Sequence, residues 1–142
     1  MKIYLCVDDH CGLMFNHRRQ SRDRVVISDI IENAGTAPIY MSEYSASLFS
    51  EYENKIISDD FLSLAGVDDL CFVEDRCLSP YKTEISELVI YRWNRTYPAD
   101  FWLDLKILEP DFKLISSIDL VGYSHEKITR EVYINATENT WT

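Results

Sequence analysis

Residues 16–24, with the sequence NHRRQSRDR and here called the basic segment, concentrate the positive charge of an acidic chain. Four of the chain's 14 Lys and Arg residues fall within the seven consecutive positions 18–24, although the chain has 24 Asp and Glu and a formal net charge of -10. Arginine side chains together with free N–H groups at a helix start can bind phosphate and other anions. The alternative is a solvated loop whose cations pair with the protein's own carboxylates. The predicted ligand contacts are four basic side chains: His17, Arg18, Arg19 and Arg22.

Asp23 is the single carboxylate of the basic segment, and two roles are open for it. A half-buried carboxyl group with a raised pKa could donate a proton, which makes Asp23 our candidate catalytic residue. A short acidic side chain immediately before a helix also caps the free N–H groups of the first turn, and we favour this role. Ser21 is a second candidate for the cap.

Two further groups of residues could form a metal site or a nucleophilic site, but we predict neither. Asp8, Asp9 and His10 could bind a metal together with His17, yet an Asp pair after a strand is typical of a turn, and we predict no metal site. A nucleophilic cysteine needs a nearby base. Cys11 is adjacent to His10 in sequence, but this adjacency does not show that the imidazole can reach the thiol. The third histidine, His125, is predicted to lie exposed in a C-terminal hairpin.

The cysteines and the first residues indicate a reduced, cytoplasmic protein. Cys6 and Cys11 are separated by four residues and Cys71 and Cys77 by five, so neither pair has the C-x-x-C spacing of a zinc or redox centre. The start, MKIYLCVDD, predicts a buried strand rather than a signal peptide. Reduced thiols are the expectation for such a chain.

Composition predicts one globular domain over residues 1–142. The chain is 46% hydrophobic and 13% aromatic, as in a packed core. Its negative charge argues against general binding of nucleic acids and of anionic membranes, because both attract Lys and Arg. No apolar run reaches the roughly 20 residues that a membrane span needs.

The pattern of elements predicts an α/β fold. Short apolar strands alternate with helical segments as far as residue 93, beginning with a strand at 2–7 and a helix that ends at Gly35. Residues beyond Pro98 read as strands, and the last of them, KITREVYI, alternates apolar and polar side chains. We therefore predict a mixed sheet flanked by helices, with an antiparallel hairpin at the C-terminus.

The order of these elements and the residues at their junctions resemble dihydrofolate reductase. The resemblance spans nearly the whole chain: CVDDHCGLMFN is similar to the first strand and mobile loop, QSRDRVV to the first helix start, PIYMSEYSASL to a phosphate-binding turn, and LCFVED to the strand before a glycine pair. It implies a reductase-like single domain. It also implies that Asp23 occupies the position of the acidic residue that protonates the pterin.

In three places the sequence differs from the family at positions that bind its cofactor. Ser42-Glu43 replaces a glycine followed by a basic residue that pairs with a cofactor phosphate, and Glu74-Asp75 replaces the two glycines at the pyrophosphate. The segment from residue 55 to 73 is shorter by enough to lose a strand on the adenine side. The resemblance with these losses predicts no conventional NADPH cofactor.

On the substrate side, Asp23 and the aromatic residues Tyr44 and Tyr91 match a ligand cleft, and both tyrosines are predicted ligand contacts. The loop before Asp23 is basic where the family uses apolar residues to cover the pterin, which favours a small anionic or nucleotide-like ligand. We therefore predict a non-catalytic binding domain. A reductase with altered cofactor use and an interaction module, including a homo-oligomer, are the alternatives.

The chain also looks like short bacterial proteins labelled ribonuclease Z. That enzyme holds two zinc ions with a cluster of His and Asp, whereas this chain has three histidines and no H-x-H-x-D-H run. We take the label as incorrect for this chain, while a nuclease stays an alternative function.

Overall fold

The computed structural model describes residues 1–136, and its core is one large mixed sheet. The elements in chain order are β1 (Lys2–Val7), β2 (Gly12–Phe15), β3 (Arg18–Arg19), α1 (Arg24–Ala34), β4 (Ile39–Met41), α2 (Glu43–Ala46), β5 (Lys55–Ile57), α3 (Phe61–Leu64), β6 (Leu70–Phe72), β7 (Glu87–Arg92), β8 (Phe101–Trp102), β9 (Phe112–Leu120) and β10 (Ile128–Asn135). Short 3-10 helices span Ser47–Phe49, Ser79–Glu84 and Leu105–Leu108.

Seven strands form the main sheet in the order β5-β4-β6-β1-β7-β10-β9. β1 pairs in parallel with β6 and β7, and β10 pairs antiparallel with β7 and β9. The predicted α/β class, with an antiparallel C-terminal hairpin, is therefore confirmed. Residues 58–69 contain α3 and no strand, as the shortened segment predicted.

The middle of the sheet is buried on both faces, which is why β1 reads as a continuous apolar run. Ile3, Leu5 and Val7 pack into a core on one face, and Tyr4 packs on the other face beneath α1. Side chains of α1 at helical spacing, Val26 and Ile30, are buried against that second face. This packing fixes α1, and with it the basic segment, at one end of the central strands.

A second, three-stranded sheet in the order β3-β2-β8 was not predicted. Asn16 and His17 adopt left-handed backbone conformations, with φ of 52° and 61°, and connect β2 to β3 in a tight hairpin. The usual signal for such a turn is an Asn-Gly or Asp-Gly pair. β3 has only two residues, too few to show alternation, whereas β8 lies in the region beyond Pro98 that was predicted to form strands.

None of the helices in the described range is long and apolar enough to cross a membrane. All four cysteines are free thiols, as expected from their spacing.

Candidate functional site

Asp23 is the N-cap of α1, as one of the two predicted roles requires. Its backbone is extended, and its carboxylate accepts a hydrogen bond of 2.9 Å from the N–H of Val25. The helix ends as predicted at Gly35, whose φ of 64° suits glycine and whose N–H donates to the carbonyl of Ile31. Local chemistry alone therefore accounts for both boundaries of α1.

The turn between β9 and β10 supplies the other partners of Asp23. The backbone N–H groups of Tyr123 and Ser124 donate to the carboxylate at 2.9 and 2.8 Å, and His125 approaches it at 3.0 Å. Asp23 is only 3% exposed. Burial alone would raise its pKa, but the hydrogen bonds from His125, Tyr123, Val25 and Ser124 outweigh it and hold the pKa well below the ordinary value. The expectation of a raised pKa is wrong, because the carboxylate has too many donors to hold a proton.

His125 completes the site, and its place was only half predicted. It lies in the C-terminal hairpin as expected, but it is 5% exposed rather than solvated. Its ring stacks on Trp93, with ring centres 4.6 Å apart and planes 23° from parallel. Nδ1 lies 3.0 Å from Oδ2 of Asp23, while Nε2 lies 2.9 Å from Oγ of Ser21 and 3.2 Å from the Tyr97 hydroxyl.

Arg19 of the basic segment is engaged within the protein. Its guanidinium makes two hydrogen bonds to Glu74, at 2.8 and 3.0 Å, and lies 4.3 Å from the ring centre of Tyr44. Glu74 also accepts a bond of 2.7 Å from the Ser45 hydroxyl. This cation pairs with a largely buried carboxylate of the protein itself, as the alternative interpretation allowed.

The other predicted ligand contacts divide between the surface and the core. His17 and Arg18 are exposed on the β2–β3 hairpin and do not line the three best-formed clefts among residues 1–136. Tyr91 is fully buried and its hydroxyl donates to Asp29 at 2.6 Å, so it is a core residue and not a ligand contact. Tyr44 is partly exposed but already covers the Arg19 guanidinium.

An open cleft of about 640 Å³ lies between α1 and the segment 47–51. Arg22 and Arg24 line it, together with the apolar side chains of Ile27, Ile31 and Leu48. Arg24 lies over the ring of Tyr123, 4.0 Å from the ring centre. Neither arginine forms an ion pair with any carboxylate of residues 1–136. Arg24 was not among the predicted contacts.

A second, smaller cavity of about 20 Å³ lies deeper, beside Ser21. This is enough space for about one water molecule. Arg19, Glu74 and Trp93 are among the side chains that line it. Arg22, Asp23, Ile27 and Leu48 line both spaces, so the two adjoin at the start of α1.

Asp8 connects the loops around the end of β1 through hydrogen bonds. Its buried carboxylate accepts hydrogen bonds from the N–H groups of His10, Gly12 and Tyr97 and from the amide of Gln20. Burial opposes these bonds, but together they keep its pKa below the ordinary value. Across residues 1–136, no three His, Cys, Asp or Glu side chains are grouped so that they could hold a metal ion.

Acid should destabilise the protein through Asp8 and Asp23. Because the folded pKa of each lies below the unfolded value, their contribution to stability is complete above about pH 4 and is lost as the pH falls further. We expect urea unfolding midpoints that change little through these groups from pH 7 to 5 and fall at pH 3.5 and 3. Asp8→Asn should flatten this slope, whereas equal midpoints at pH 5 and 3 would contradict the prediction.

No protein-family model matches the sequence, and no curated protein matches it. The fold is similar to that of a solved structure of dihydrofolate reductase from Enterococcus faecalis complexed with NADP(H) and RAB-propyl. The TM-score is 0.66 at 6% sequence identity, and the match covers 94% of this chain and 95% of that one. The protein therefore has a dihydrofolate reductase-like fold, as the order of its elements predicted.

Proposed function

We propose that the protein binds a small anionic ligand with an apolar or aromatic body in the cleft between α1 and the segment 47–51. The observation that carries this is the pair of guanidiniums, Arg22 and Arg24, that line the cleft without a carboxylate partner in the described structure. The chain has 24 acidic residues, so two such cations at one cleft are available to an external anion.

The chemistry of the cleft walls favours a ligand that is more than an inorganic ion. Ile27, Ile31 and Leu48 line the cleft together with the exposed Tyr123, while serines and the carboxylates of Asp23 and Glu51 make up much of the remaining lining. Ligand sites in general combine mostly apolar walls with a few placed polar groups. A nucleotide-like molecule, with a flat ring and a phosphate, matches this arrangement better than phosphate alone.

Thermal unfolding with adenosine 5′-monophosphate tests the proposal. A ligand at ten times its Kd stabilises by about 1.4 kcal/mol, which for a chain of this size raises Tm by about 5 °C. The double variant Arg22→Ala/Arg24→Ala should lose this shift. Arg18→Ala, an exposed cation of the same basic segment outside the cleft, should keep it. Inorganic phosphate should give a smaller shift than the nucleotide at equal concentration.

Two results would overturn the proposal. One is an unchanged Tm with millimolar nucleotide and with millimolar phosphate. The other is an equal loss of the shift in Arg18→Ala, which would show attraction to the basic segment as a whole rather than binding in the cleft.

We also propose that conventional NADPH is not a cofactor. The Enterococcus faecalis structure contains NADP(H), and the family places two glycines where this chain has Glu74-Asp75. The Glu74 carboxylate is paired with Arg19 and Ser45, so side chains fill this position and add negative charge beside the pyrophosphate. The residues present therefore do not fit a dinucleotide. In the same thermal experiment, a rise of several degrees with sub-millimolar NADPH would refute this.

A further inference from the structure

Ser21, His125 and Asp23 form a continuous hydrogen-bonded chain outside the predicted ligand contacts. Oγ of Ser21 lies 2.9 Å from Nε2 of His125, and Nδ1 of the same ring lies 3.0 Å from Oδ2 of Asp23. The three residues come from the loop before α1, the helix cap and the β9–β10 turn. A hydroxyl on one imidazole nitrogen and a carboxylate on the other is the arrangement that activates a serine nucleophile.

The partners of His125 determine which ring nitrogen carries the proton. An ionised Asp23 carboxylate can only accept, so Nδ1 of His125 must be its donor. In the neutral ring Nε2 then has one free lone pair, which can accept a hydrogen bond from the Ser21 hydroxyl at 2.9 Å or from the Tyr97 hydroxyl at 3.2 Å. Trp93 stacking and the Asp23 bond together hold the ring plane. Nε2 is therefore positioned to take the proton from Oγ of Ser21.

The surroundings of Ser21 suit a reacting group rather than a buried structural one. Ser21 is half-buried and lines the small inner cavity, so its hydroxyl is not sealed in the core. Within the part of the chain that the structure describes, the backbone N–H groups of Ser21 and Arg22 have no hydrogen-bond acceptor. Free N–H groups beside a nucleophile, at the positive end of α1, can stabilise an oxyanion.

We infer that Ser21, His125 and Asp23 are a nucleophile, a general base and an orienting carboxylate that hydrolyse carboxylic esters. Oγ of Ser21 bonds to the ester carbonyl carbon as its proton passes to Nε2, and the carbonyl electron pair moves to oxygen. Collapse expels the alcohol, which takes the proton from Nε2, and leaves the acyl group on Oγ. Water then adds to the acyl carbon as its proton passes to Nε2, and collapse expels Oγ of Ser21, which takes that proton back and releases the carboxylic acid.

The cleft that Arg22 and Arg24 line indicates which esters the protein would hydrolyse. Arg22 lines both the cavity at Ser21 and the larger cleft, so an anionic group held by Arg22 and Arg24 would lie next to the nucleophile. The natural substrate is then an ester of a negatively charged molecule. This statement about charge rests on the proposed function, whereas the triad itself does not.

Labelling with a fluorophosphonate and hydrolysis of neutral p-nitrophenyl acetate test the triad on the full chain. Mass spectrometry should find one adduct, on the peptide that contains Ser21. Ser21→Ala should lose the adduct and at least 100-fold of the hydrolysis rate. Tyr97→Phe is the matched control, because it removes the other hydroxyl from the same nitrogen; it should keep the adduct on Ser21. Circular dichroism should show that both variants are folded.

The labelling and hydrolysis results either support or contradict the catalytic triad. No adduct on the folded protein, an adduct on another residue, or hydrolysis retained in Ser21→Ala would overturn the triad. Equal loss in Ser21→Ala and Tyr97→Phe would also overturn it, because the hydrogen bonds to His125 would then be only structural. An anionic ester such as p-nitrophenyl succinate should be preferred, and Arg22→Ala/Arg24→Ala should abolish that preference. Activity on the neutral ester without this preference refutes the proposed anion cleft and leaves the triad standing.

Discussion

Asp23→Ala is expected to lower the free energy of unfolding by about 4 kcal/mol and Tm by about 15 °C. The substitution removes a helix cap, which is worth about 1 kcal/mol. It also leaves the buried Nδ1–H of His125, and the partly buried N–H groups of Tyr123 and Ser124, without their acceptor. Each orphaned donor costs about 1–3 kcal/mol when water cannot reach it. Urea and thermal unfolding measure the loss.

Asp104→Ala is the control for this experiment. Asp104 also caps a helical turn, accepting a hydrogen bond of 3.0 Å from the N–H of Lys106, but it is exposed and has no partner from a distant strand in the described structure. Its removal should cost about 1 kcal/mol or less. Equal losses in the two variants would mean that only the cap matters and that the bonds to the β9–β10 turn add nothing.

Gly122→Ala is expected to destabilise the protein by about 3 kcal/mol through overpacking and the loss of bonds to Asp23. A methyl group at residue 122 would lie 2.4 Å from the carbonyl oxygen of His125 and 2.8 Å from Oδ2 of Asp23. Both distances are shorter than real contacts, and the first atom belongs to the backbone. The turn must move away from Asp23, so fluorophosphonate labelling of Ser21 should fall as well.

Gly66→Ala tests whether any glycine in a loop would behave this way. A methyl group there meets only the half-buried Asp69 carboxylate, at 3.2 Å, so this side-chain end needs to move by only a few tenths of an ångström and can keep its bond from the Gly66 N–H. Its free energy of unfolding should change by less than about 1 kcal/mol. Similar losses at both glycines would remove the argument that Gly122 is required for the close approach of the hairpin to Asp23.

Much of the fold could be predicted because its signals are local. Helix α1 is marked by Asp23 before it, by Val26 and Ile30 at helical spacing, and by Gly35 after it. The buried strand β1 and the alternating strand β10 are visible in their own residues. The two-residue strand β3 carries no such pattern, because pairing with β2 rather than local preference forms it.

The candidate site could be predicted only in part. The basic segment lies at the start of α1 as predicted. Its arginines have different contacts, however, and their spacing in the sequence does not predict these contacts. Arg19 pairs with Glu74, which is 55 residues away, while Arg22 and Arg24 remain at the open cleft. His125 lies in the polar stretch YSHEK, which predicted exposure, and no spacing or periodicity connects it to Ser21.

The sequence by itself determined the order of the elements, the two ends of α1 and the unusual charge of residues 16–24, because each depends on neighbours within about one helical turn. Only the tertiary structure decided that the pKa of Asp23 is lowered, that His125 is buried and that the Ser21 hydroxyl lies 2.9 Å from an imidazole nitrogen. These properties arise where the β9–β10 turn closes on the start of α1, between residues 102 to 104 positions apart. Such contacts follow from the packing of the whole sheet, which no short stretch of residues encodes.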